Sequence, residues 1–101
     1  MTKNNPEFFN QMIQTFISNA HTGIDQIRTA CDKEDWKMIR ETAHRLIPSF
    51  KHLDVRKGVL DLVEIKNRCE GKPDRQILSK LISRIGKETE EVLEMLRKES
   101  V

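Results

Sequence analysis

Three histidines and two cysteines, His21, His44, His52, Cys31 and Cys69, are the side chains best suited to nucleophilic or ligand chemistry in this sequence. Of these, His44 has the most informative surroundings. It lies in the stretch ETAHRLIPSFKHL, Glu41 to Leu53, where apolar residues recur at helical spacing. With Trp36 at zero and about 100° per residue, the seam Trp36, Ile39, Ala43, Leu46, Phe50, Leu53 falls between roughly 260° and 360°. His44 falls near 80° on the same wheel, facing solvent or the rim of a groove. Lys37 and Arg40 precede it on that strip, Ile47 and Pro48 lie one turn after it, and Lys51 lies two turns after it. An exposed neutral imidazole keeps one ring nitrogen free as a nucleophile. Flanking cations suit a phosphoryl group in transfer, whose charge needs positive partners. The same strip suits docking to an acidic site. Glu41, within a turn, can hold Arg40 or orient the ring. The competing reading is a solvated helix face that happens to carry a surface histidine.

Pro48 bears on that choice. A proline inside a helix removes a hydrogen bond and clashes with the preceding turn, at about 3 kcal/mol. The apolar spacing nevertheless runs across it, from Ala43 and Leu46 to Phe50 and Leu53. The pattern predicts one kinked helix from about Trp36 to Leu53. The carbonyl freed by the proline is that of His44. The alternative is that Pro48 divides two helices and Ser49 caps the second.

The other candidates have weaker settings. His21 reads as a surface or capping residue at a join between helices. His52 falls near 160°, farther from the seam than His44. His44 and His52 lie about 80° apart around the helix and lack ligand spacing, so neither a metal site nor a nucleic-acid role finds support. Cys31 and Cys69 are isolated at apparent helix ends and read as free, partly buried thiols. The methionines and phenylalanines sit mostly at helical spacing and read as core.

The elements that must position His44 follow from the periodicity. A first pattern opens at NNPEFF, with Asn5 as cap, Pro6 as first helical residue and Glu7 suited to the dipole. Phe9, Met12 or Ile13, Phe16, Ala20, Ile24, Ile27 and Cys31 continue it, and Gly23 is expected to bend it into a short first helix and a longer second one. Asp35 or Asp32 caps the helix of His44. A further helix follows Asp54, another candidate cap, and carries Val59, Leu62, Val63 and Cys69. EGKPD, Glu70 to Asp74, breaks the chain, with Gly71 as a C-terminal cap and Pro73 opening the last helix. That helix carries Leu78, Ile82, Ile85, Thr89, Val92 and Leu96. The expected fold is all-α: an antiparallel four-helix bundle with a short additional N-terminal helix, one domain over 1–101.

Composition agrees with a small helical domain. The chain has 101 residues, 37% hydrophobic and 34% charged, which suits helices that bury one stripe each. The net charge of +2 is too small to point to nucleic acid. No apolar run is long enough for a transmembrane helix, and the N-terminus lacks the form of a signal peptide. The expected compartment is the cytoplasm. There is no glycine-rich phosphate loop, no Cys-x-x-Cys and no HExxH.

The stretch AHRLIPSFKHL, Ala43 to Leu53, resembles the active-site helix of histidine-containing phosphotransfer (HPt) domains, the intermediates of two-component phosphorelays. Ala43, His44, Leu46, Pro48 and Ser49 fit the family pattern. CDKEDWKMI resembles its acidic-tryptophan lead into that helix, and LDLVEIKNR looks like its next helix. The resemblance implies that His44 is the phosphoacceptor, taking a phosphoryl group from a receiver-domain aspartate and passing it to another. It also implies that Pro48 stands where a glycine often permits close approach of the receiver, and that Arg45 fills the variable position after the histidine. The implied phosphate- or partner-binding set is Lys37, Arg40, Arg45, Ile47, Pro48 and Lys51. The chain would carry phosphoryl groups without ATP-dependent kinase activity of its own. It would need no cofactor or metal, Mg²⁺ belonging to the partner receiver. Its partners would be response-regulator receiver domains, including those of a hybrid sensor kinase. It would bind no nucleic acid, insert in no membrane and act as a monomer. Two departures stand out. The family's usual lysine three residues after the histidine is Ile47, so Lys51, Arg40 or Lys37 must supply its charge. The family's frequent glycine ten residues after the histidine is Asp54, read as a different cap.

Two rivals stand against this reading, the second set aside because the sequence reads as more helices than a hairpin and shows no nucleotide-binding feature. A helical interaction module would bind a partner through the same face without phosphorylation, and His44→Gln would leave it intact. A dimerising kinase bundle would need a two-helix hairpin and an ATP-binding domain in the same chain.

Overall fold

The helix that carries His44 is continuous from Trp36 to His52 and holds Pro48 in its interior. It is α2 of four helices in the computed structural model, which describes residues 6–99. The others are α1 (Pro6–Asp32), α3 (Arg56–Glu70) and α4 (Arg75–Glu99). Among the described residues there is no strand, and the fold is all-α. α2 packs on α1 and α3, and α4 packs on the same two helices, in a body of 48 × 20 × 20 Å.

The helices bury most of the stripe that their periodicity defines, although on α3 only Leu62 of Val59, Leu62, Val63 and Cys69 is fully buried. Ile39, Ala43, Leu46 and Phe50 of α2 are buried, and Trp36 and Leu53 pack at the margin. Phe50 meets Phe16 of α1 edge to face, with ring centroids 5.2 Å apart. Ile65 of α3 and Leu93 of α4 are also fully buried, although neither belongs to the spacing read from the sequence.

Gly23 does not bend the chain. α1 runs through it unbroken, so there is no separate short N-terminal helix among the described residues. The glycine serves close packing instead: a Cβ there would lie 2.7 Å from two carbons of Leu46. Gly58 does the same between α3 and α2, where a Cβ would stand 2.6 Å from the Phe50 ring. Asn5, the expected first cap, lies outside the described residues.

The two inner connections share one construction. Asp35 N donates to Ala30 O and Glu34 N to Cys31 O, while Glu34 adopts φ 54. Val55 N donates to Phe50 O and Asp54 N to Lys51 O, while Asp54 adopts φ 59. Both are Schellman endings with a left-handed residue after the helix, a position that favours glycine. Asp54 therefore does not cap α3 as expected. Val55 occupies that cap without a side-chain bond, and its own apolar side chain packs with Phe50 in the core.

Asp35 is the cap of α2, accepting from Met38 N at 3.2 Å, whereas Asp32 ends α1. The last helix opens after Asp74 rather than at Pro73, since Asp74 Oδ1 accepts from Gln76 N at 2.9 Å and Ile77 N at 3.2 Å. Gly71 ends α3 at φ −103, without the left-handed turn.

Not every large apolar side chain went to the core. Phe8, Phe9, Met38 and Met95 are exposed, contrary to their reading as core. Phe8 and Phe9 lie on the outer part of the first turns of α1. Met38 and Met95 lie off the buried stripes of their helices.

Candidate functional site

His44 is exposed near the middle of α2, between buried Ala43 on one side and exposed Arg45 on the other. Among the described residues its ring makes no hydrogen bond and no ion pair. On the same outer face Lys37, Pro48 and Lys51 are exposed, while Arg40 and Ile47 are half-buried at its margin. Ile47 packs against the core. Arg40 reaches toward α3, where its charge acts on the Cys69 thiol. Glu41, which could have held Arg40 or oriented the ring, makes no ion pair with Arg40 and no hydrogen bond to His44. Lys51 lines a shallow cleft with Asp54, Val55, Arg56, Val59 and Leu60.

Arg45 belongs to a different face. Its Nη2 donates to Gln26 Oε1 of α1 at 2.7 Å. The wheel separates it from His44 by about 100°. The structure thus brings Lys37, Arg40, Ile47, Pro48 and Lys51 together around His44 and turns Arg45 away toward α1. Sequence reasoning missed Gln26, because nothing in a linear pattern marks a polar residue as a tether across two helices.

Pro48 shapes the main chain beneath the ring. It has no N–H to offer the His44 carbonyl, so that carbonyl lacks its helical partner. Pro48 also lines a groove of about 520 Å³ between α2 and the start of α1, with Phe8, Met12, Phe16, His52 and Leu53 among its walls. His52 is exposed at the end of α2. It faces this groove rather than the basic strip.

The remaining titratable groups are tied up in the scaffold. His21 is not at a join between helices but within α1. Its Nδ1 lies 3.5 Å from Glu90 Oε1 and its Nε2 3.4 Å from Arg97 Nη2, both on α4. Burial pushes the Cys31 thiol up, against the pull of Arg75. Burial, with Cys31 nearby, pushes Cys69 up to about 11. Both thiols are therefore poor nucleophiles at neutral pH. Between α3 and α4, buried Asp61 takes Nη2 of Arg84 at 2.7 Å and its Nε at 3.2 Å. Glu88 stands beside this pair with Oε2 buried and unpartnered. Burial first, then a hydrogen bond to Asp61 and the Asp61 charge, raise the Glu88 carboxyl above its ordinary range. Among the described residues no group of three His, Cys, Asp or Glu side chains is placed to hold a metal ion. Nor, among the described residues, is any helix long and apolar enough to cross a membrane.

No protein-family model, curated protein or solved structure matches the chain. The chemistry of the site therefore rests on its own residues. What stands out is the unpartnered imidazole of His44 on a continuous helix, among cations and beside a small apolar margin. Such a ring can attack an electrophile delivered by a partner, and the cations can stabilise an anionic group left on it.

Proposed function

We propose that the chain is a histidine phosphotransfer domain that carries a phosphoryl group on His44 between receiver domains of a two-component phosphorelay. The single observation that carries this reading is the unpartnered, exposed His44, in the motif AHRLIPSFKHL, on the face that also holds Lys37, Arg40 and Lys51. The loop after α2 adds support. The family's frequent glycine falls at Asp54, and Asp54 has the left-handed φ of 59 that favours glycine.

In the transfer, the free ring nitrogen of His44 attacks the phosphorus of an aspartyl phosphate. The N–P bond forms as the O–P bond breaks, and the bonding pair leaves on the aspartate carboxylate. The other ring nitrogen keeps its proton. The second receiver reverses these steps. The receiver brings the Mg²⁺ and the acidic pocket. This chain brings the positioned imidazole and the basic strip. Lys37, Arg40 and Lys51 would steer the acidic pocket, while Ile47 and Pro48 fill the middle of the contact. The four helices would form an antiparallel four-helix bundle acting as a monomer in the cytoplasm, with no kinase activity of its own.

Incubation with phosphoramidate or with a phosphorylated receiver, read by intact mass, tests the proposal. The expected result is one added phosphoryl group, labile in acid, stable in base and absent from His44→Gln. A well-folded protein that takes no label from either donor is instead an interaction module. Label that persists in His44→Gln moves the acceptor to another histidine, His52 first.

A further inference from the structure

The cations around His44 counted so far all lie on α2. The register between α2 and α3 adds another. Phe50 lies against Gly58, Lys51 shares a cleft with Val59, and the charge of Arg40 reaches Cys69. The two packing contacts fix an antiparallel pairing, and the reach of the Arg40 charge to Cys69 agrees with it. His44 lies between Arg40 and Phe50, so its level on α3 lies between Cys69 and Gly58, at residues 64–66. Ile65 there is fully buried in the core. Glu64 is bonded to Arg68 at 2.9 Å and acts on Arg84, which places it on the α4 side. Lys66 remains. On the α3 wheel it lies about 20° from Val59 and about 60° from Cys69, both of which face α2. Its side chain is 29% exposed, so its stem is laid against the helix seam and only its end meets water.

His44 leans to that same seam. The charge of Arg40, its neighbour on the inner side of the wheel, acts on α3, whereas Arg45 on the far side faces α1. Lys66 has a loose ion pair with Glu70 at 3.8 Å, the long end of such contacts. An exposed pair of this kind holds its lysine weakly.

We propose that Lys66 of α3 is a phosphoryl-binding residue of the site, leaving Glu70 to pair with the anionic group on phosphorylated His44. The assignment rests on the reading of His44 as phosphoacceptor. Ile47 offers no charge at its place on α2, and Lys66 supplies a cation from the facing helix at the level of the ring. An ammonium there favours the bond-forming step, because it meets charge that arrives only with the phosphoryl group. It also shields the phosphohistidine from hydrolysis.

The test uses the full chain with phosphoramidate as donor, comparing wild type, Lys66→Met and Lys66→Arg, with Lys80→Met on α4 as a surface control. Unfolding curves check that each variant folds. Labelling of His44 is expected to slow by about fivefold to tenfold in Lys66→Met, the size of one partly exposed charge interaction. The phosphohistidine should hydrolyse faster by a similar factor. Lys66→Arg should recover most of both, and Lys80→Met should behave as wild type. Lys66→Met labelled and hydrolysed at wild-type rates overturns the proposal while leaving His44 as acceptor. So does a Lys66→Arg variant as slow as Lys66→Met, because the loss would then come from packing rather than charge. Wild type that takes no label on His44 overturns both the phosphotransfer reading and the role of Lys66.

Discussion

Pro48→Ala separates what the proline costs the fold from what it gives the site. The helix on both sides of Pro48 is intact, so an alanine there can donate to the His44 carbonyl. An interior proline is about 3 kcal/mol worse than alanine in a helix. Part of that is returned because proline restricts the unfolded chain, by about 0.4–1 kcal/mol. Pro48 is exposed, so little packing is lost on truncation. The balance is a stabilisation of about 2 kcal/mol, or roughly 10 °C in melting temperature for a domain of this size. Urea unfolding followed by circular dichroism measures it, with the slope in denaturant unchanged if only the folded helix is repaired. Labelling by phosphoramidate should stay within about twofold, because the small donor needs only the ring and its cations. Transfer from a phosphorylated receiver should slow, since the surface beside His44 changes shape. No gain in stability would refute the reasoning. It would mean that the carbonyl of His44 is already satisfied by the bend, and that Pro48 costs the helix nothing.

Two further outcomes follow from the scaffold. Glu88 has a folded-state pKa raised above its unfolded value, so it contributes stability at low pH that is lost as pH rises through the folded value. Glu88→Gln keeps a donor near Asp61 without the charge, and should gain on wild type as pH rises from the ordinary carboxylate range toward neutrality. A difference that stays flat across that range, measured by urea unfolding at several pH values, would refute the assignment. Glu34 and Asp54 both hold left-handed positions, but aspartate tolerates that region better than glutamate. Glu34→Gly should therefore stabilise by about 1 kcal/mol and Asp54→Gly by less, and thermal unfolding giving the reverse order would contradict this account.

The sequence made the helices legible where one residue type decides the local structure. The stripe of α2 and the passage of the helix across Pro48 can be read without coordinates, and its cap narrowed to Asp35 or Asp32, because spacing and side-chain chemistry act within a turn or two. Gly23 shows the limit of such reading. A glycine permits both a bend and a close approach, and only the Leu46 side chain from another helix decides between them. Asp54 shows the same limit at a turn. An aspartate before a helix reads as a cap, yet the Schellman bonds that end α2 claim its backbone first.

The candidate site divides along the same line. The exposure of His44 and the basic strip follow from one helical wheel, since both lie on α2. Arg45 is adjacent to His44 in sequence and shares its sign with the strip, but its distance around the helix gives it to α1 and Gln26. Lys66 is remote in sequence and belongs to another helix, and the register set by Phe50 on Gly58 and by Lys51 beside Val59 brings it level with the ring. The missing lysine at Ile47 is a loss of charge only if the site is taken as one helix. Taken as a seam between two helices, the apolar Ile47 packs the margin, and the cation can come from the side that a linear motif never includes.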